Sequence, residues 1–183
     1  MAETLKKIIE HLNNNDLNRA NELCEKNADK KIQHIIFNIK GVILFKKLEF
    51  KPAENEFLKS IELDKTFIDP YKNLFKLYLR NKDFQSAIDI GKKIIEIDDK
   101  KKPISYFNLA LAHDLNKDYK IAIKLYQISE TLNFKEKKIL FNNLAKCFFS
   151  AQDINNAKKY YLKALEFNQN DKFIINNLLI LYL

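Results

Sequence analysis

The sequence predicts an all-α fold in which pairs of antiparallel helices repeat and stack. It has only two Gly and three Pro in 183 residues, fewer turn-forming residues than a sheet-rich protein of this length needs, while 46% of it is hydrophobic. One alanine column recurs at intervals of 33, 34, 35 and 35 residues, through Ala20, Ala53, Ala87, Ala122 and Ala157. A nearly fixed interval of this length is typical of a helical repeat array.

The residues on either side of each alanine predict the two helices of a repeat. Upstream, apolar residues spaced three and four apart, such as Tyr71, Leu74 and Tyr78, place one stripe on one helical face. A short polar turn follows, as in Asn81-Lys82-Asp83, and a second amphipathic helix begins after it. Because one pair cannot bury its apolar face alone, neighbouring pairs are expected to stack.

Prolines and small residues support the same arrangement. Asp69 followed by Pro70 is a good N-cap followed by a good first helical residue, and Pro103 is expected to open the next first helix. Small residues such as Gly41 and Ala110 are expected to let the two helices of a pair approach closely.

The large and small residues around the alanine column resemble the tetratricopeptide repeat. The best match covers 138–171 and consists of Phe141, Leu144, Ala145, Phe148, Ala157, Tyr161 and Ala164. The ranges 68–102 and 103–137 match nearly as well, 34–67 departs at Lys40, and 1–33 is degenerate. The small-residue columns favour this repeat over the pentatricopeptide repeat, which has a similar period.

The resemblance implies a right-handed α-solenoid that forms a single domain over 1–183, with about four to five repeats and a terminal helix at 172–183. In this family the first helices line a concave groove, and most members bind peptides or protein surfaces there. We therefore expect a protein–protein interaction scaffold without a cofactor, whose partner is a protein or an extended peptide.

Helical geometry predicts which side chains face that groove. If the fourth, seventh, eighth and eleventh positions of a repeat are buried, the second, fifth, sixth, ninth and twelfth lie opposite. The predicted peptide-binding residues are Asn73, Asn108, Asn143, Asn177, Lys72, Lys76, Phe107, Leu111, Asn142 and Lys146. Their mixture of apolar, amide and cationic side chains suits an extended segment with hydrophobic and acidic side chains.

Four asparagines in register are the most informative functional feature. Asn73, Asn108, Asn143 and Asn177 take the sixth position of successive repeats. An amide offers both donors and an acceptor, so it can pair with a peptide backbone whatever its sequence. Two interpretations stay open: the column binds a ligand, as the asparagine ladder of some family members does, or it reflects a chain rich in Asn with solvated side chains.

One peptide-binding subtype can be tested against the sequence directly. Chaperone-binding members clamp a C-terminal carboxylate with Lys and Asn from successive first helices and basic residues from the third. Starting from Lys72, Asn108 matches one element, but Ile139 and Asn143 stand where two basic residues are needed. We therefore do not expect this clamp.

The last predicted helix, 172–183, is apolar nearly all round. Terminal helices of solenoids usually carry a polar outer face, so this one is expected to be covered. Four explanations stay open. The chain is a fragment, the helix packs on a partner, an exposed end is tolerated, or the helix self-associates through Phe173, Ile174, Ile180 and Leu181. Self-association gives an alternative function, a structural assembly subunit.

The net charge of +8 suits nucleic acid, anionic lipid or an acidic protein. The lysines, however, are spread along the chain, with runs at predicted helix ends: Lys30–Lys31, Lys100–Lys102 and Lys137–Lys138. Cations at helix ends offset the helix dipole. A basic nucleic-acid-binding solenoid is therefore a second alternative, disfavoured because no single face concentrates the charge.

Neither catalysis nor metal binding is predicted. His11, His34 and His113 fall in different repeats, and His11 and His113 take a position usually filled by a buried aromatic. Cys24 and Cys147 form neither a disulfide framework nor a zinc motif, and two unpaired thiols fit a reducing compartment. Without a signal peptide or an apolar run long enough to span a membrane, we expect a cytoplasmic protein, unless a targeting segment is missing from the sequence.

Overall fold

The computed structural model describes residues 2–27, 29–98 and 102–181, and over these ranges the chain has helices and no strands. The helices are α1 (Ala2–Asn13), α2 (Leu17–Glu25), α3 (Gln33–Lys46), α4 (Phe50–Leu63), α5 (Ile68–Arg80), α6 (Phe84–Ile97), α7 (Pro103–Leu115), α8 (Tyr119–Thr131), α9 (Lys137–Ser150), α10 (Ile154–Leu165) and α11 (Lys172–Ile180), with a 3₁₀ turn at Lys30–Ile32. Part of the predicted lysine run at 100–102 and the last two residues of the predicted terminal helix lie outside the described ranges. The predicted all-α fold class is confirmed.

The helices divide between two compact units, residues 1–83 and 84–183. In the first unit each helix from α1 to α5 packs on the next one along the chain, and α3 also contacts α5. In the second unit α6 to α11 pack in the same consecutive order. This alternation of first and second helices within each unit is the stacking of antiparallel pairs that defines an α-solenoid.

A residue with left-handed backbone ends each of the first helices α1, α3, α5, α7 and α9. These residues have φ between 58° and 66° and are Asn15, Leu48, Lys82, Lys117 and Gln152. At the fourth of these turns, the amide of Lys117 donates to the carbonyl of Asp114 (3.0 Å), and the amide of Asp118 donates to the carbonyl of His113 (2.8 Å). This is the Schellman arrangement, which satisfies two helix-end carbonyls and reverses the chain within a few residues.

Helix starts agree with the sequence in one case and correct it in another. Asp153 caps α10 by accepting a hydrogen bond from the amide of Asn156 at 3.1 Å, and Pro103 opens α7 as predicted. The cap predicted at Asp69 is wrong, because α5 begins one residue earlier, at Ile68. Asp69 therefore lies in the first turn, where its charge still complements the helix dipole.

The alanine column lies at the contact between helices and is fully buried. Each of its members is 0% exposed, namely Ala20, Ala53, Ala87, Ala122 and Ala157. Two buried serines add a second contact within their pairs: Ser60 Oγ donates to the carbonyl of His34 at 2.6 Å, and Ser129 Oγ donates to that of Pro103 at 2.9 Å. Small side chains thus hold a second helix against the start of its first helix.

Candidate functional site

The second unit carries an accessible stripe on its first helices α7, α9 and α11. Positions i, i+4 and i+7 share one face of a helix. On all three helices these positions are an apolar residue, an asparagine and then Leu, Lys or Ile. We call this set the asparagine stripe: Ile104, Asn108 and Leu111; Ile139, Asn143 and Lys146; and Phe173, Asn177 and Ile180.

The apolar side chains of the asparagine stripe are exposed well beyond what a core position allows. Ile104 is 44% exposed, Ile139 is 52% exposed and Phe173 is 60% exposed. Lys146 is exposed as well, and Leu111 is half-buried. The stripe therefore offers apolar contact area beside polar groups, which is the composition of a peptide-binding surface.

The three asparagines of the stripe are half-buried, and the contact of one amide is defined. Nδ2 of Asn143 donates to the hydroxyl of Tyr126 at 3.3 Å. Tyr126 is fully buried, and burial raises the pKa of this phenol far above its usual range, so the hydroxyl stays neutral. This bond fixes the Asn143 amide and leaves its Oδ1 outside the bond.

Two more residues of this unit, Phe107 and Asn142, were predicted to line the groove. The expectation that Phe107 lines an open groove is wrong, because it is only 8% exposed and its ring stacks on Phe134 with centroids 4.4 Å apart. Asn142 is half-buried, and its Oδ1 is buried without a hydrogen-bond partner among the described atoms. That oxygen points into the protein and is closed to a ligand.

The predicted self-association residues on α11 also separate into two groups. Phe173 and Ile180 are 60% and 53% exposed, whereas Ile174 is 1% exposed and belongs to the core. The expectation for Ile174 is therefore wrong, since a buried side chain cannot contact a second copy. Leu181 is half-buried and packs against the same core.

In the first unit, the predicted groove residues lie on α5 and include one amide and two lysines. Nδ2 of Asn73 donates to Oδ1 of Asn38 on α3 at 2.9 Å. Lys72 pairs with Asp69 at 3.1 Å. Lys76 is exposed and has no carboxylate partner among the described residues.

A pocket of about 210 Å³ lies between α3 and α5, and the predicted groove residues form only part of it. We call it the α3–α5 pocket; its lining residues are Val42, Phe45, Lys46, Phe57, Asn73 and Lys76. Sequence periodicity placed Phe57 only in the core and missed that its ring closes the pocket from α4. Gly41 was the signal in the sequence that a neighbouring side chain lies against α3 at this point. A Cβ at position 41 would lie 2.5 Å from the Phe57 ring.

The histidines and cysteines have structural surroundings. His113, predicted to be in the core, is 7% exposed, and its Nδ1 lies 3.1 Å from Oδ2 of Asp118; His11 is half-buried and makes the equivalent contact with Asp16 at 3.1 Å. Burial raises the pKa of Cys24 to about 11 and that of Cys147 still further, so both thiols are protonated and weakly nucleophilic at neutral pH.

The described residues contain neither a candidate metal site nor a candidate membrane span. No three His, Cys, Asp or Glu side chains lie close enough together there to hold a metal ion. None of the described helices combines the length and apolar character that crossing a membrane requires.

Comparison with known proteins identifies the repeat. The tetratricopeptide repeat family model matches residues 140–171, the range of α9 and α10. Residues 140–171 of the chain therefore form a tetratricopeptide repeat. A search of curated protein sequences finds no match.

Solved structures of tetratricopeptide repeat proteins are similar to this one in fold. MamA (residues 41 to the end) from Desulfovibrio magneticus RS-1 has a TM-score of 0.79 at 16% identity, covering 93% of this chain and 96% of that one. MamA of AMB-1 has a TM-score of 0.76 at 17% identity, covering 93% of each chain. YrrB, described as a TPR protein with an unusual peptide-binding site, has a TM-score of 0.80 at 12% identity over 95% of this chain and 89% of that one. At these identities the likeness concerns the fold.

Proposed function

We propose that this tetratricopeptide repeat protein is a protein–protein interaction scaffold that binds an extended peptide segment along the asparagine stripe. The fold supports the scaffold role. The observation that carries the finer proposal is the stripe itself: three first helices of one unit repeat an exposed apolar side chain and a half-buried asparagine at the same helical spacing.

The chemistry of the stripe suits an extended backbone. Each asparagine provides polar groups for peptide N–H and C=O groups, and each such bond contributes about 0.5–1.5 kcal/mol net. Ile104, Ile139 and Phe173 provide apolar contact one helical turn away from the amides. Since backbone pairing gives affinity and side-chain contacts give specificity, the two kinds of residue have complementary roles.

The test uses a phage-displayed library of random linear peptides panned against the full chain. We expect enriched peptides to lose more than about tenfold in affinity when Asn108→Ala and Asn143→Ala are combined, since two backbone bonds are removed. Asn155→Ala is the matched control, because Asn155 is exposed on the second helix α10. Unchanged affinity of the double variant, with a thermal melt like that of the wild type, would contradict the proposal.

Assembly through α11 is a second candidate function, favoured by the exposed apolar residues of that helix. Leu179 is 58% exposed and lies about 240° around the helix from Phe173, off the asparagine stripe. Light scattering at several concentrations tests it, with Leu179→Asp as the variant. Concentration-dependent association that Leu179→Asp abolishes supports this candidate, and a monomer at every concentration excludes it.

Binding of nucleic acid is separated from peptide binding by a salt titration. Phosphate contacts make affinity fall steeply with ionic strength. If a random oligonucleotide does not bind even at low salt, nucleic-acid binding is excluded as the function.

A further inference from the structure

We propose that the α3–α5 pocket of the first unit binds an apolar side chain of a peptide whose neighbouring residues are acidic. This inference rests on the peptide-binding function proposed above and adds a subsite, contained within the first unit, that selects peptides by sequence. Three features of the pocket support it: its apolar floor, the sign of the charges around it and the fixed amide at its edge.

The floor of the pocket is apolar and rigid. Phe57 is 1% exposed, and its ring lies against the backbone of α3 at Gly41, where even one methyl group would meet it at 2.5 Å. Val42 and Phe45 form half-buried walls. At about 210 Å³ the pocket is smaller than the roughly 300–1,000 Å³ of small-molecule sites, so a single side chain suits it better than a free ligand.

The charged residues that line the pocket, Lys46 and Lys76, are both cationic. Lys76 is exposed at its edge without a carboxylate partner among the described residues, and the lining includes no acidic residue. Nζ of Lys46 donates to the neutral carbonyl of Leu12 at 3.2 Å. The Arg80 guanidinium lies 5.7 Å from the centroid of the Phe45 ring. An apolar side chain entering this pocket therefore places its flanking residues among cations, and Asp or Glu complements them.

The amide of Asn73 is oriented by the protein before any partner binds. Its Nδ2 donates to the buried Asn38, which directs that half of the amide inward and leaves Oδ1 outside the bond. Oδ1 can then accept from a peptide N–H beside the anchored side chain. The occupant is thus an extended segment with Leu, Ile or Phe flanked by Asp or Glu.

The experiment pans the same random linear peptide library against the full chain and against two pocket variants. Lys76→Glu reverses the charge at an exposed position, and Val42→Phe fills the pocket. Lys47→Glu is the matched control, because Lys47 is exposed in the same unit and is not part of the pocket lining. Thermal melts of every variant establish that each one folds.

We expect the wild type to enrich an apolar residue with acidic neighbours. Lys76→Glu should weaken that peptide by at least about tenfold and shift the enriched flanks towards Lys and Arg, since like charges at an interface are strongly unfavourable. Val42→Phe should weaken it comparably, and Lys47→Glu should change the affinity by less than about threefold, as expected for a charge outside the contact.

Two outcomes overturn the inference, and they have different consequences for the proposed function. If enriched peptides bind the pocket variants as they bind the wild type but lose binding to the Asn108→Ala/Asn143→Ala variant, the subsite is absent and the stripe remains. If the wild type enriches no peptide, the peptide-binding function itself fails, and the subsite fails with it.

Discussion

Nδ2 of Asn73 on α5 donates a 2.9 Å hydrogen bond to Oδ1 of Asn38 on α3, and Asn38 is only 8% exposed. The bond joins first helices of two successive repeats directly, across the second helix that separates them in the chain. The buried Asn38 amide therefore contributes to stability, and it orients the Asn73 amide. Since Asn73 lines the α3–α5 pocket, this pair links the packing of the first unit to its candidate site.

Replacing Asn38 tests the contribution of this pair. Asn38→Ala removes the acceptor and a buried side chain, so we expect the free energy of unfolding to fall by about 1–2 kcal/mol. Urea denaturation followed by circular dichroism measures it. Asn55→Ala, at an exposed position on α4, is the control and should change the free energy of unfolding by less than about 0.5 kcal/mol. Equal effects at the two positions would contradict the prediction.

Gly41 has a packing role that the sequence already indicated. Gly41→Ala gains about 1 kcal/mol of helix propensity, but its Cβ would lie 2.5 Å from the Phe57 ring. Overpacking of this kind costs about 1–3 kcal/mol, so we expect a net loss of up to about 2 kcal/mol in the free energy of unfolding.

A double-mutant cycle identifies the cause of that loss. In a Phe57→Leu background the ring is gone, and Gly41→Ala should then cost at least about 1 kcal/mol less than it does in the wild type. Additive effects of the two changes would place the cost of Gly41→Ala somewhere other than the contact with Phe57.

The left-handed turn residues provide a stabilising prediction. Lys82 and Lys117 have φ of 59° and 66°, a conformation that costs an ordinary side chain roughly 1–2 kcal/mol and Gly almost nothing. Part of that gain is lost because Gly has more freedom in the unfolded chain. We expect Lys82→Gly and Lys117→Gly each to raise the free energy of unfolding by about 0.5–1 kcal/mol, as measured by urea denaturation.

The matched control for the turn variants lies within a helix. Lys124 is exposed in the middle of α8, where Lys124→Gly should lower the free energy of unfolding by about 0.5–1 kcal/mol. A loss of stability at Lys82 or Lys117 would mean that these lysines make contacts that outweigh their backbone conformation.

Sequence reasoning predicted the repeated packing well because its causes are local and periodic. A small residue is favoured where two helices approach closely, so the column through Ala122 and Ala157 indicates the pairing from the sequence alone. The turns within the pairs follow the same interval, since a left-handed residue ends each of the first helices from α1 to α9.

The same reasoning failed for Phe107 and Ile174 because their burial depends on neighbours. Phe107 is at the boundary of the groove-facing side of its helix, and Phe134, from the segment after α8, covers it by stacking on the ring. Ile174 is in α11, which is apolar on several sides, so the spacing of its apolar residues does not indicate which side of the helix is buried. That choice comes from packing against α10 and is visible only in three dimensions.

Asn142 should be a place where a polar side chain reduces stability. Its Oδ1 is buried without a partner among the described atoms, and an unsatisfied acceptor costs about 1–3 kcal/mol. Asn142→Leu has a similar shape and no polar atom, so we expect it to raise the free energy of unfolding by about 1 kcal/mol. Thermal and urea unfolding measure this; a loss of stability would show that the amide is satisfied in solution.

The start of α11 should weaken in acid because of Asp171. This carboxylate pairs with Lys138 of α9 and accepts hydrogen bonds from the amides of Ile174 and Phe173, and these interactions hold its pKa below the usual value. A depressed pKa means that the unfolded chain binds the proton more readily than the folded one. The stabilisation is therefore present above about pH 4 and is lost as the pH falls through the folded-state pKa.

The prediction for Asp171 is measured by urea denaturation at a series of pH values from neutral to about pH 3. Asp171→Asn keeps a capping oxygen but cannot ionise, so we expect lower stability than the wild type at neutral pH and a smaller decrease in acid. Glu166→Gln removes the same charge from an exposed position near the end of α10 and serves as the control.

Asp118 and Asp153 also have lowered pKa values, through hydrogen bonds from Asn116 and Asn156, so part of the acid dependence must remain in the Asp171 variant. A wild-type pH profile that Asp171→Asn leaves unchanged would show that the link between α9 and α11 contributes nothing to stability.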